Sequence, residues 1–348
     1  MNQFDYAISL PKLLTPEIVN AVGAIHEYRG RQARLSHVIP EVLQHLVEIA
    51  KIQSVGASNR IEGIQTSDER LRQLVEGDIT PKNRSEQEIV GYRYVLDLIH
   101  TYHNDMSVTP NVILQLHRDL YRYQNISIGG RWKDSDNIIQ ERMADGTVRT
   151  RFVPTSAVMT PFAMESLCAE YQQQIDMGRY DPLIVIAQFV FDFVSIHPFS
   201  DGNGRMSRLL TLLLLYRQGY EVGKYISIEH EIEQTKRTYY EVLRSSSVGW
   251  EAGTYDCSPF AEYLLGVILA CYRDFDERAV LADVVLTDRE RVSTVLSSSF
   301  ADMSKRELQE KLPSMSEQKL ARVLQALQGE GRVEKIGSAR ATRYRWVR

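Results

Sequence analysis

His197-Pro198-Phe199-Ser200-Asp201-Gly202-Asn203-Gly204-Arg205-Met206-Ser207-Arg208 joins two strongly apolar runs, 181–196 and 204–218. Runs that are apolar nearly all round read as helices in the buried centre of a domain, so this polar turn is held at the core rather than on an arbitrary surface. Gly202 and Gly204 let backbone amides approach a ligand, and the turn opens a helix whose first N–H groups and positive dipole end favour an anion. Arg205 and Arg208, three apart on that helix, can reach the same or adjacent anionic groups, one arginine for each of two phosphates. Asp201 beside such groups would repel a phosphate unless it held a divalent cation, and Mg²⁺ suits one carboxylate plus phosphate oxygens. His197, at the end of the first helix, is the nearby group able to accept a proton near neutral pH. Each residue also has a plainer reading, a packed histidine, a Gly-Asn-Gly turn or solvated arginines. A buried charged cluster without a ligand would be costly, and the set points to phosphate-centred group transfer.

The same twelve residues resemble the signature of the Fic-domain family, His-Pro-Phe-x-Asp/Glu-Gly-Asn-Gly-Arg-x-x-Arg, at every fixed position. The resemblance covers roughly residues 86–272. It implies Mg²⁺-dependent transfer of AMP from ATP to a Ser, Thr or Tyr hydroxyl of a target protein or of the chain itself. It implies that His197 deprotonates the hydroxyl and that Asp201 holds Mg²⁺ on the α- and β-phosphates. Gly202, Asn203 and Gly204 would form the anion hole, and Arg205 and Arg208 would hold the outer phosphates. Family members that transfer phosphate carry lysine at the position of Gly204, so glycine favours nucleotidyl transfer. Tyr239 and Tyr240 lie where relatives often place aromatics near adenine, with ordinary helix packing an equal reading.

Upstream, Ser58-Asn59-Arg60-Ile61-Glu62-Gly63 sets Glu62 just before a glycine suited to a helix C-cap. A negative charge at the negative end of a helix costs roughly 0.3–1 kcal/mol unless a cation compensates, so Glu62 calls for an arginine. The segment resembles the inhibitory Ser/Thr-x-x-x-Glu-Gly/Asn motif, carried here by Ser58, Glu62 and Gly63. In that family the glutamate pairs with the second arginine of the signature, here Arg208, and blocks seating of the γ-phosphate. The same carboxylate could orient a water that removes AMP from a modified target, and this alternative stays open.

Outward from these motifs, apolar residues recur every three or four positions over residues 17–64, so 1–85 reads as a helical N-terminal region. Thr109-Pro110 caps a helix over 112–121. Asp145-Gly146 between 138–140 and 147–153 predicts a β-hairpin. It resembles the family's flap, on which an extended target segment adds as a strand. Ser304 and Glu307 have capping-box spacing, a second amphipathic helix runs over 316–328, and a two-stranded ribbon follows around Gly337-Ser338. Helix, turn, helix and ribbon is the winged-helix pattern. The expected architecture is mainly α: a helical core with a hairpin flap over 86–272 and a small winged helix over 285–348.

Lys+Arg number 41 against Asp+Glu 45, a net charge of −4 that excludes a generally basic nucleic-acid coat. Residues 303–348 nonetheless hold eleven basic and five acidic side chains, net +6, which leaves −10 for the rest. Arg340, Arg343, Arg345 and Arg348 cluster on the expected wing, as contact with DNA phosphates requires. Winged helices also dock proteins, and a DNA-binding regulator with a nucleotide-sensing pocket stays open as a third reading. The resemblance also admits a homodimer. Three scattered cysteines, Cys168, Cys257 and Cys271, fit a reducing cytoplasm, and no apolar run reaches spanning length. His100 and His103 have ligand-like spacing without an acidic or thiol partner and read as solvated helix-end residues.

Overall fold

The structure is a computed structural model that describes residues 4–35, 40–124, 128–142, 147–283, 287–299, 302–312, 315–337 and 342–347. It divides into two compact units, residues 1–33 with 46–276 and residues 34–45 with 277–348. The boundary expected near residue 85 therefore falls inside the first unit.

In chain order the first stretch contains α1 (Tyr6–Ser9), α2 (Pro16–Leu35), α3 (Pro40–Ile61), α4 (Asp68–Glu76), α5 (Arg84–Tyr102), α6 (Pro110–Leu120), β1 (Ile139–Arg142) and β2 (Val148–Phe152). Then come α7 (Thr160–Met177), α8 (Pro182–Ile196), α9 (Asn203–Arg217), α10 (Ile228–Gln234), α11 (Lys236–Ser246) and α12 (Ser258–Asp283). The chain is mainly helical, as its periodicity predicts.

α8 and α9 form the centre. Asp181 caps α8 by accepting from the Leu183 N–H, with Pro182 in the first turn. Leu183, Ile186, Phe189, Phe193 and Ile196 are all buried, and α8 packs between α7 and α9 while α5 covers α9. Each such Leu, Ile or Phe contributes about 1.5–3 kcal/mol when fully buried. β1 and β2 pair antiparallel from Ile139↔Phe152 to Arg142↔Val148, with an irregularity between Ile139 and Gln140. The expected hairpin is present, and its Asp145-Gly146 tip lies outside the described residues.

The second unit holds α13 (Asp288–Ser298), β3 (Met303–Ser304), α14 (Lys305–Lys311), α15 (Glu317–Gly329), β4 (Val333–Ile336) and β5 (Arg343–Trp346). The capping box at Ser304 and Glu307 is formed. Val292, Leu296, Leu308, Leu320, Leu324 and Leu327 make its core. The sheet has three strands in the order β3-β5-β4, one more than the ribbon expected. β3 is two residues long, too short for a period-2 pattern to declare itself.

The arginines expected on a wing also differ from expectation. Arg345 forms a two-pronged pair with Asp302 at 2.7 and 2.8 Å, and Arg343 donates to the Asp302 carbonyl at 2.6 Å. Both are engaged within the unit, while Arg340 and Arg348 lie outside the described residues.

Candidate active site

α8 ends where Phe193 O accepts from the His197 N–H at 3.1 Å, and His197 then turns the chain with φ 51° and ψ 61°. It is the one non-glycine residue with positive φ among those described. Such a conformation costs roughly 1–3 kcal/mol and persists only where the surroundings impose it. Asn203 supplies part of the imposition: its Oδ1 accepts from Phe199 N at 2.8 Å and its Nδ2 donates to Phe199 O at 2.7 Å. Gly202 follows at φ 83°, where a Cβ would come within 2.9 Å of the Tyr121 hydroxyl, so α9 starts without a side chain over its first amides.

Groups far away in sequence hold the same turn. Lys133 donates its backbone N–H to Pro198 O at 2.9 Å and its ammonium to Ile196 O at 3.2 Å. Asn137 Nδ2 donates to Phe199 O at 3.3 Å. His117, wholly buried, stacks on Phe199 at 3.6 Å between ring centroids. Gly130 N donates to His117 Nδ1, which leaves Nε2 to carry the proton and donate to Asp201 O at 3.1 Å. Burial pushes the His117 imidazole down to about 4, so it works as a neutral strut. Sequence reading missed Lys133, Asn137 and Tyr121; His117 was visible only as a helix position.

The ring of His197 faces Val194 O through Nδ1 at 3.4 Å, an arrangement that puts the proton on Nδ1 and the lone pair on Nε2. Burial, then the positive charge of Lys133, pushes its pKa down to about 4 against the opposing pull of Val194 O, Glu62 and Asp201. It stands as an unprotonated base across the neutral range.

The two arginines expected to face phosphates are both buried. Arg205, 1% exposed, pairs with Glu88 at 2.7 Å and donates to the Tyr121 hydroxyl at 2.8 Å. Arg208 donates from Nε to Ser58 Oγ at 2.8 Å, and from Nη2 to Ser58 O at 2.9 Å and Glu62 Oε1 at 2.8 Å. The arginine partner that Glu62 calls for is therefore Arg208. Gly63 at φ 80° closes α3 as a C-cap, and Ile64 N reaches back to Asn59 O, which turns the Glu62 side chain away from the helix. A Cβ added at Gly204 would collide with Glu62 Oε1, so this carboxylate lies against the first turn of α9. α3 is fastened nearby by Arg60 on Glu233 at 2.6 and 2.8 Å and by Lys236 Nζ on Ile61 O at 2.7 Å.

Asp201 is 46% exposed at the rim, with Oδ1 accepting from Gly202 N at 2.7 Å. A hard oxygen donor beside the cradle suits Mg²⁺, which keeps waters and takes the rest of its shell from phosphate. Tyr239 is buried among Tyr240 and Tyr263, with its hydroxyl beside Arg208 and Ser207. Tyr240 is half-buried, and Arg151 of β2 donates to its carbonyl at 3.4 Å. His100 and His103 are not solvated: both rings pack on Tyr216, at 5.6 and 5.5 Å, and burial pushes His100 down to about 3. Their spacing put one face of α5 and the turn after it against α9, which two sequence positions could not reveal.

The sequence model of the Fic/DOC family matches residues 107–215, which bracket this loop. A Fido domain-containing protein of Dictyostelium discoideum is 32% identical over 139 residues, 38% of this chain and 92% of that protein. The chain belongs to the Fic/DOC family. The Fic core is likewise similar to the protein adenylyltransferase Fic of Aedes aegypti, 28% identical over 224 residues. That match takes in 62% of this chain, but the chain spans only 40% of the mosquito protein's length. A crystal structure of a Fic family protein from Desulfovibrio desulfuricans shares the fold at TM-score 0.66 and 24% identity, covering 96% of this chain and 97% of that one.

Proposed function

We propose that this Fic protein is an autoinhibited, Mg²⁺-dependent protein adenylyltransferase. The observation that carries the reading is Glu62, whose carboxylate sits on Arg208 and against Gly204, in the place an outer phosphate of ATP would take. With Glu62 withdrawn, the Nη2 of Arg208 that it engages and the amides of Asn203 and Gly204 would take phosphate oxygens, joined by the Gly202 amide once it leaves Asp201 Oδ1. His197 Nε2 takes the proton of an incoming Ser, Thr or Tyr hydroxyl, whose oxygen forms the new bond to the α-phosphorus. The bond from that phosphorus to the bridging oxygen breaks, and pyrophosphate leaves. Mg²⁺ on Asp201 would neutralise charge on the phosphates. The paired strands β1 and β2 would offer an edge to the target segment.

The test is incubation of wild type, Glu62→Gly and Glu62→Gly/His197→Ala with Mg²⁺ and α- or γ-labelled ATP. The expected result is label on protein from the α position alone, raised about tenfold or more in Glu62→Gly, a barrier change of roughly 1.4 kcal/mol, and absent in the double variant. Label from the γ position would mean phosphotransfer. No label with either nucleotide, together with loss of AMP from a modified target that depends on Glu62, would turn the reading to AMP removal.

For the second unit we propose a winged helix that binds duplex DNA. Its support is the outer face of α15, where Gln318, Ala321, Arg322 and Gln325 are exposed opposite the buried Leu320, Leu324 and Leu327. Glutamine and arginine with a small neighbour suit base edges in a major groove, and an apolar docking face is missing there. Titration of a labelled duplex at several salt concentrations should give a negative salt slope, and Arg322→Ala should weaken binding by about 1–3 kcal/mol if it reads a base. Binding that ignores both salt and Arg322 would leave α15 as a protein-docking helix.

A further inference from the structure

Lys133 is an unusual residue to find inside this unit. It is 3% exposed, and its ammonium meets only neutral oxygens: Asn137 Oδ1 at 2.8 Å and Ile196 O at 3.2 Å. Among the described residues no carboxylate lies within ion-pair distance of it. Burial pushes its pKa down to about 8, with the charge of Asp136 pulling the other way, so a charge is kept at neutral pH in a place where burying it is costly. Its two polar ends do one thing in common. The side chain holds Ile196 O and the backbone N–H holds Pro198 O, the carbonyls on either side of His197.

We propose that Lys133 is a positioning residue for His197, holding the strained turn at that residue so that the ring presents Nε2 to the reacting hydroxyl. The inference rests on the transferase reading above and adds a residue outside the signature to it. The geometry of the turn favours it. His197 has a backbone conformation that a side-chain-bearing residue adopts only under constraint, and Lys133 applies the constraint on both flanks at once. The hold that Asn203 exerts begins only at Phe199, downstream of the strained residue. The charges facing the ring are consistent with a second effect: Glu62 after α3 and Asp201 in the loop draw a proton toward His197, and Lys133 opposes both.

The experiment uses the full chain in the Glu62→Gly background, with Lys133→Met and Lys133→Arg compared for kcat, KM for ATP, thermal midpoint and the ¹⁵N shifts of the His197 ring. Misplacing a reacting group by about an ångström costs on the order of a hundredfold, so Lys133→Met should lower kcat by roughly tenfold to a hundredfold. KM for ATP should stay within about threefold, because the phosphate cradle from Gly202 onward makes no contact with Lys133. The ring shifts should move toward a mixture of tautomers, and Lys133→Arg, which keeps charge and donors, should recover most of the rate. An unchanged kcat and unchanged ring shifts in Lys133→Met would overturn the proposal. So would a fall in kcat and rise in KM that track a lowered thermal midpoint and are not recovered by arginine. Should the Glu62→Gly parent itself transfer no AMP, the transferase reading fails by itself. The ring shifts then still decide whether Lys133 positions His197.

Discussion

Arg205 and Arg208 stand one turn apart on the same helix, and both are buried, yet they are held in different ways. Arg205 is fixed by neighbours that belong to the body of the unit, Glu88 on α5 and Tyr121 after α6, and Glu88 is in turn held by Arg84 at 2.9 Å. Arg208 is fixed by Ser58 and Glu62, both at the C-terminal end of α3. The first arginine is tied into the body of the unit, with a partner that is 5% exposed. The second is bound to a carboxylate that is 32% exposed at the end of a helix, a partner able to leave. On the autoinhibited reading proposed above, one signature thus contains a permanent charge and a switchable one. The difference is set by what each arginine meets rather than by the signature itself.

The largest effect expected from this contrast is on stability. Arg205→Ala leaves the Glu88 carboxylate buried and short of its partner, and breaking one side of such a pair costs about 3–5 kcal/mol. Glu62→Gln should cost only about 1 kcal/mol, because its carboxylate is partly solvated and Arg208 keeps both bonds to Ser58. Urea unfolding of the two variants side by side measures the gap. Equal losses would mean that Glu62 is as much a part of the scaffold as Glu88, and the switchable role would go.

How much of this was legible in the chain follows the same line. The turn from His197 to Arg208, its two apolar helices and the Glu62-Gly63 helix end are local patterns, and local patterns survive in a sequence. The hairpin strands, the capping box at Ser304 and the Thr109 cap were readable for the same reason. The struts beneath the loop were not, because Lys133, Asn137 and His117 meet it across 62 to 84 residues of chain and follow no spacing. Glu88 carries no signal of its own in the sequence, because only the packing of α5 against α9 brings Arg205 to it. His100 and His103 were misjudged because only the tertiary position of Tyr216 makes them interior. In the second unit β3 is too short to declare itself, and Arg343 and Arg345 read as phosphate contacts because Asp302, which engages them, lies 41 and 43 residues away in the chain.

The smallest effect expected is on the base. Glu62 faces His197 as well as Arg208, and its negative charge favours the protonated imidazole, whereas burial and Lys133 disfavour it. A group whose folded pKa is pushed down, to about 4 here, stays unprotonated until the pH falls through that value, so transfer should hold its rate from pH 8 down to about 6. An imidazole at its ordinary value near 6.5 would have lost most of its rate by then. Removing the Glu62 charge lowers the value further, which moves the acid limb to still lower pH by less than about one unit, since the pair is separated and partly solvated. NMR titration of the His197 ring in wild type and Glu62→Gln reads that shift without requiring turnover. A shift in the opposite direction would place Glu62 among the groups that keep the base unprotonated, and the brake would then act on the base as well as on the phosphate cradle. No shift at all would confine the action of Glu62 to Arg208, making the contrast between the two arginines the whole of the switch.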